Sequence, residues 1–190
     1  GIAACTAEGA IGEAGDSAQP FTLQSISKAL VYGMVLDAHG AEVVGRRISV
    51  EPSGDAFDAL HLEPRTGRAP NPLVNAGAIA ATGLIPGRSL EDRFERILDG
   101  LSVYAGRKLD LDAAVYRSES ATGHRNRALA HLLRSAGLLD DPLEATLELY
   151  FMQCSIRVTC RDLAVMGATL AHGGINPLTG DRALHTEHLD

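Results

Sequence analysis

Tryptophan is absent from the 190 residues, and phenylalanine and tyrosine supply only four residues each. A core built on large rings is excluded, so the interior has to be assembled from Ala, Leu, Val and Ile within a hydrophobic content of 45%. Cysteine is also scarce: Cys5, Cys154 and Cys160 make no disulfide framework and have no zinc-site spacing. That usage fits a reducing compartment, and a cytoplasmic location is expected. No apolar run reaches membrane-spanning length, and no signal peptide is visible. A formal net charge of −7, with arginines scattered rather than gathered in a stripe, argues against nonspecific binding to nucleic acid or to an anionic membrane. The seven histidines show no metal-ligand pattern.

Lysine is the rarest cation, with Lys28 and Lys108 standing against fifteen arginines. A chain that needs only charge would use arginine, which cannot lose its proton near neutral pH, whereas a desolvated lysine can. Lys28 lies in Gln24-Ser25-Ile26-Ser27-Lys28, at the mouth of an apolar periodic stretch. The three-residue spacing puts the Ser25 hydroxyl and the Lys28 amine on one helical face, as nucleophile and base. The pattern alone is weak, because eleven serines and two lysines produce it by chance in about one chain in nine. Ser25 could equally cap a helix, with Lys28 a solvated first-turn side chain.

Gly1 to Ala14 reads as a hairpin turning at Glu8-Gly9. Helix signals start at Ser25 and end at Gly40, and Val43 to Val50 could form a short strand. A Gly- and Pro-rich loop follows, then a small-residue helix from Asn75 to Leu84. Ser89 with Asp92 opens the next helix, and helical patterns continue over Asp110 to Tyr116 and Asn126 to Ala136. Asp141-Pro142 leads into a helix from Leu143 to Gln153. Thr159 with Asp162 opens a last one, stopping at Gly173-Gly174, before a frayed tail that contains His185 and His188. The chain is expected to be dominantly helical, with β-structure confined to its start. A sheet that small is marginal alone, so a mixed domain would need further strands.

Six segments in order resemble the glutaminase family, serine-dependent enzymes that hydrolyse glutamine and have the serine β-lactamase-like fold. They are Phe21 to Lys28, Val44-Gly45 leading to Glu51-Pro52-Ser53-Gly54, and Asn71 to Ile79. Ser118-Glu119 with Arg125-Asn126, Tyr150 to Cys160, and Ala171 to Pro177 complete the set. The resemblance implies an α+β fold of the β-lactamase and penicillin-binding type, dominantly helical here with a partial antiparallel sheet. The family pattern also has a tyrosine upstream of Gly1, and a second tyrosine and a Lys-Ser-Gly-like strand downstream of Asp190. The chain is therefore expected to be a single glutaminase domain over residues 1–190, incomplete at both ends.

The same resemblance implies a role for each matched residue. Ser25 would be the nucleophile and Lys28 its base, with L-glutamine as substrate and a serine acyl-enzyme as intermediate. Glu119 would hold the α-ammonium, while Asn75, Asn126 and Tyr150 would hydrogen-bond the substrate with Ser25. Read without the family, Glu119 is a solvated helix-end carboxylate, Asn75 and Asn126 are helix caps, and Tyr150 is a core residue. A homo-oligomer, dimer or tetramer, is implied as well. Two competing readings remain at this point: a β-lactamase-like penicillin-recognising enzyme, or a non-catalytic truncated homologue. The first of these needs a Ser-Asp-Asn element, which the sequence lacks.

Overall fold

The computed structural model describes residues 1–140 and 142–189. The expected cap Asp141 lies outside the described residues; Pro142 itself occupies the N-cap position of its helix. Strands β1 (Ile2–Cys5) and β2 (Ile11–Ala14) form the expected antiparallel hairpin, with Ile2 opposite Ala14 and Cys5 opposite Ile11. Its turn is closed by Thr6, whose hydroxyl accepts from the Glu8 and Ala10 amides at 3.3 Å each. Strand β3 (Phe21–Thr22) runs into a 3-10 turn, Gln24–Ile26, and then into helix α1 (Ser27–Gly45). After a long loop come α2 (Asn75–Gly83), α3 (Leu90–Ala105), β4 (Asp110–Leu111), α4 (Ala113–Thr122) and α5 (His124–Ser135). Helix α6 (Leu143–Cys154), β5 (Ile156–Val158), α7 (Cys160–Ala171) and a 3-10 turn, Thr186–His188, complete the order.

The architecture is a dominantly helical α+β fold with a small antiparallel sheet. Helix α2 is its hub. Every residue from Asn75 to Thr82 is buried, and the side chains are small enough for α1, α5 and α6 to close around it. Helix α3 packs on α6, α7 and α1, with Ile97, Leu101 and Tyr104 buried at helical spacing. Its ends follow local chemistry: the Ser89 hydroxyl accepts from the Asp92 amide, and Gly106 at φ 68° stops the helix. Helix α7 crosses β1 and starts on a full capping box between Thr159 and Asp162.

The β-structure is not confined to the start of the chain. Strands β3, β5 and β4 form a second, three-stranded antiparallel sheet in that order, pairing Phe21 with Val158 and Asp110 with Arg157. Strands of two or three residues leave no readable alternation, which is why the pattern hid them. Asp110 and Leu111 are strand rather than helix, and Asp112 caps α4 by accepting from the Ala114 and Val115 amides. Val43 to Val50 is not a strand either. Gly40, at φ 77°, kinks α1, the helix resumes to Gly45, and only Ile48 makes a β-bridge, to Ala69. His185 and His188 are not frayed: both lie within 4 Å of Asp37 on α1. Among the described residues, no helix is long and apolar enough to cross a membrane. The three cysteines are free.

Candidate active site

The second sheet brings distant segments to one place. Strand β5 follows α6 directly, and β3 leads into α1, so pairing β3 with β5 sets the N-terminus of α1 beside the end of α6. The Leu23 amide extends the ladder to the Ile156 carbonyl at 2.8 Å. The next residue, Gln24, has φ 49°, the sole positive value outside glycine among the described residues. Ser25 follows in the 3-10 turn with its side chain exposed. One turn on, Lys28 is 3% exposed, which is rare for lysine and has to be compensated.

Three contacts compensate it. Lys28 Nζ donates to Asn75 Oδ1 at 2.7 Å and to the Leu73 carbonyl at 3.0 Å, and it lies 5.6 Å from the Phe57 ring centroid. Burial pushes the Lys28 pKa below its ordinary value, and the Cys154 thiol nearby works against that shift. Both bonded groups sit at the start of α2, whose N-cap is Val74 with no capping side chain. Asn71 turns the chain just before the helix, its Oδ1 accepting from the Leu73 and Val74 amides. Asn75 is therefore not the cap of α2. Its amide is committed at both ends, accepting from Lys28 and donating to Asn126 Oδ1 at 2.9 Å.

Asn126 is not a cap either, because α5 begins at His124 and Asn126 lies inside its first turn. Arg125 beside it grips the Asp58 carbonyl and carboxylate, each at 2.8 Å, and so ties the loop that carries Phe57 to α5. Glu119, near the end of α4, is partly buried and accepts from Gln24 Nε2 at 3.3 Å. Tyr150 and Cys154, one turn apart on α6, interact through their side chains. Burial above all, with the thiol and Glu119 adding, holds the Tyr150 hydroxyl well above its ordinary pKa. Thus Lys28, Asn75 and Asn126 form one hydrogen-bonded row, and Gln24, the residue before Ser25, is bonded to Glu119. A cavity of about 660 Å³ lies elsewhere, against Tyr32, Ile48, Ser49, Glu51, Glu63 and Arg68. It includes neither Ser25 nor Lys28, so hydrogen-bond geometry rather than cavity size marks the site.

The model of the glutaminase family matches residues 1–190. The chain belongs to the glutaminase family. A family member from Microcystis aeruginosa, named glutaminase, is 48% identical over 189 residues, covering 100% of this chain and 56% of its own. Glutaminase 2 of Bradyrhizobium diazoefficiens is 52% identical over 189 residues, which is 30% of its length. The chain thus spans about half or less of the curated relatives it matches. Among solved structures, the probable glutaminase ybaS superposes with a TM-score of 0.94 at 40% identity, covering 98% of this chain and 61% of that one. A Bacillus glutaminase crystallised with 4.3 M NaCl gives 0.93 at 35%, covering 99% of this chain and 64% of that one. The fold is therefore the family's β-lactamase-like α+β fold.

Sequence reasoning missed three participants. Gln24 was read as part of a motif, yet its positive φ and its link to Glu119 are tertiary facts. Phe57 and the Leu73 carbonyl come from a loop and a backbone group, and neither leaves a compositional trace.

Proposed function

We propose that the protein hydrolyses the side-chain amide of L-glutamine, giving L-glutamate and ammonia through a glutamyl ester on Ser25. The observation that carries this reading is the buried Lys28 amine held by Asn75 and the Leu73 carbonyl one turn from Ser25. A neutral lysine has two N–H groups and one lone pair. The two acceptors occupy the N–H groups, which leaves the lone pair to take the Ser25 proton as its oxygen attacks the amide carbon. The proton then passes from Lys28 to the departing nitrogen, and ammonia leaves. Water attacks the ester by the same route in reverse, the Ser25 oxygen is reprotonated, and glutamate departs. Glu119 is the group in this cluster with the charge to hold the substrate ammonium, while Asn126, Asn75 and Tyr150 offer hydrogen bonds to its polar end.

Nucleophile and base are both side chains in this scheme, so it needs no metal or organic cofactor. The family membership and the match to structures such as Mglu in its glutamate form support the assignment. A homodimer or homotetramer, and a cytoplasmic location without membrane or nucleic-acid partners, complete the proposal. The test is equimolar release of ammonia and glutamate by the full-length protein. Ser25→Ala should lower that rate about a thousandfold while the circular dichroism spectrum stays unchanged. A wild-type protein that releases no ammonia from glutamine overturns the reading.

A further inference from the structure

Behind Ser25 runs a buried polar chain that the proposed chemistry does not use. Thr82 on α2, Gln153 on α6 and Ser27 on α1 are each 0% exposed. The single proton of Thr82 Oγ1 is shared between the Ala78 carbonyl at 2.9 Å and Gln153 Oε1 at 3.1 Å, and Gln153 Nε2 donates to Ser27 Oγ at 3.0 Å. Ser27 Oγ in turn donates to the Gln24 carbonyl at 2.7 Å, which also accepts the Ser27 backbone N–H. From Gln153 onward each donation runs toward the residue before the nucleophile, and Thr82 anchors the far end on the helical hub. Three polar side chains with no access to water are kept in place only if they satisfy one another, and these do.

The end point is the informative part. Gln24 is the non-glycine residue held at positive φ, a conformation that persists only where its surroundings over-determine it. Its carbonyl is gripped twice by Ser27, and its side chain is held by Glu119 and Thr22. The Gln24 carbonyl and the Ser25 N–H belong to one trans peptide, so they point in opposite directions. Fixing the carbonyl inward therefore fixes the plane from which the Ser25 side chain departs.

We propose that Thr82, Gln153 and Ser27 form a positioning relay that holds the Gln24–Ser25 peptide and thereby sets the attack geometry of Ser25. The proposal rests on Ser25 being the nucleophile, and its test separates the two ideas. Loss of activity in Ser25→Ala tests the nucleophile; the relay is tested by variants that leave Ser25, Lys28 and Glu119 intact. In the full-length protein, Ser27→Ala and Gln153→Met should lower kcat about 10- to 100-fold with KM within about threefold, since misplacement by an ångström can cost that much. The same variants should slow acylation of Ser25 by a glutamine analogue carrying a γ-electrophile, followed by intact mass, by a matching factor.

Thr82→Val, isosteric but without the hydroxyl, should show a smaller loss of the same kind, and Thr82→Ser should restore kcat to within about twofold of wild type. If the two larger changes unfold the protein, the Thr82 pair decides on the same readouts. Variants that are less heat-stable but keep the wild-type kcat and acylation rate overturn the proposal. So does a rise in KM at unchanged kcat, which would make the relay part of substrate binding.

Discussion

At the residue scale the decisive quantity is the proton on Lys28. Burial lowers its pKa, so the folded protein binds fewer protons than the unfolded chain between the folded value and the ordinary 10.5. In that window stability rises with pH; below the folded value the penalty for burying a charged amine is constant. On the proposed mechanism the same sign would govern catalysis. kcat/KM should rise with pH along a limb lying below 10.5, as Lys28 loses its proton. Lys28→Arg keeps the charge but cannot shed it, and should lower kcat about a thousandfold at every pH tested. A limb at or above the free-lysine value would contradict the assignment. Cys154 yields a second prediction. Desolvation pushes its thiol up to about 11, and the side chain is 5% exposed. Iodoacetamide at pH 8 should label Cys5 and Cys160, both partly exposed, and leave Cys154 unmodified in the folded protein, as read by peptide mass.

At the element scale the site depends on how closely α2 approaches the loop before it. A Cβ on Gly77 would lie 1.9 Å from the Asn71 carbonyl oxygen and 2.7 Å from its carbon, backbone atoms that cannot rotate away. Gly77→Ala should therefore push the Asn71–Leu73 segment outward, costing about 2 kcal/mol in urea unfolding. Because that segment presents the Leu73 carbonyl to Lys28, kcat should fall as well, at a temperature where the variant is folded. The start of α7 carries the other element-scale expectation. Asp162, 2% exposed, accepts from the Thr159 amide and hydroxyl and from two nitrogens of Arg107. Thr159→Ala should cost about 1 kcal/mol and Asp162→Ala about 2, since the second also removes the buried carboxylate that pairs with Arg107. Equal urea midpoints for the two would show that Arg107 adds nothing. Thr159 and Asp162 were legible in the sequence because capping chemistry is local. The β3–β5–β4 sheet was not, because strands of two or three residues carry no local pattern and pair with distant partners, Phe21 with Val158 and Asp110 with Arg157.

At the scale of the whole molecule the fold is shared among enzymes with different substrates, so the site has to discriminate. The residues proposed for it, Ser25, Lys28, Asn75, Glu119, Asn126 and Tyr150, come from ordered segments of the sequence, and the structure brings them into one region. What the sequence could not convey is connection. Asn75 reads equally well as a cap until its side chain is seen between Lys28 and Asn126, and Gln153 reads as an ordinary helix residue until Ser27 and Thr82 are found against it. Charge is the discriminating property. A penicillin or cephalosporin bears a carboxylate and need carry no ammonium, whereas glutamine is a zwitterion. Here the carboxylate of Glu119 sits beside Gln24, on a chain of net charge −7. With the proposed role of Glu119, an anionic ligand would meet like charge there, at a cost of several kcal/mol, while the ammonium of glutamine would find a partner. Nitrocefin should therefore be hydrolysed with a kcat/KM at least about a thousandfold below that for glutamine. Glu119→Gln should weaken glutamine about a hundredfold, chiefly through KM, by replacing a charged hydrogen bond with a neutral one. Nitrocefin turnover comparable with glutamine turnover in the wild-type protein, lost in Ser25→Ala, would mean that Glu119 does not select the substrate.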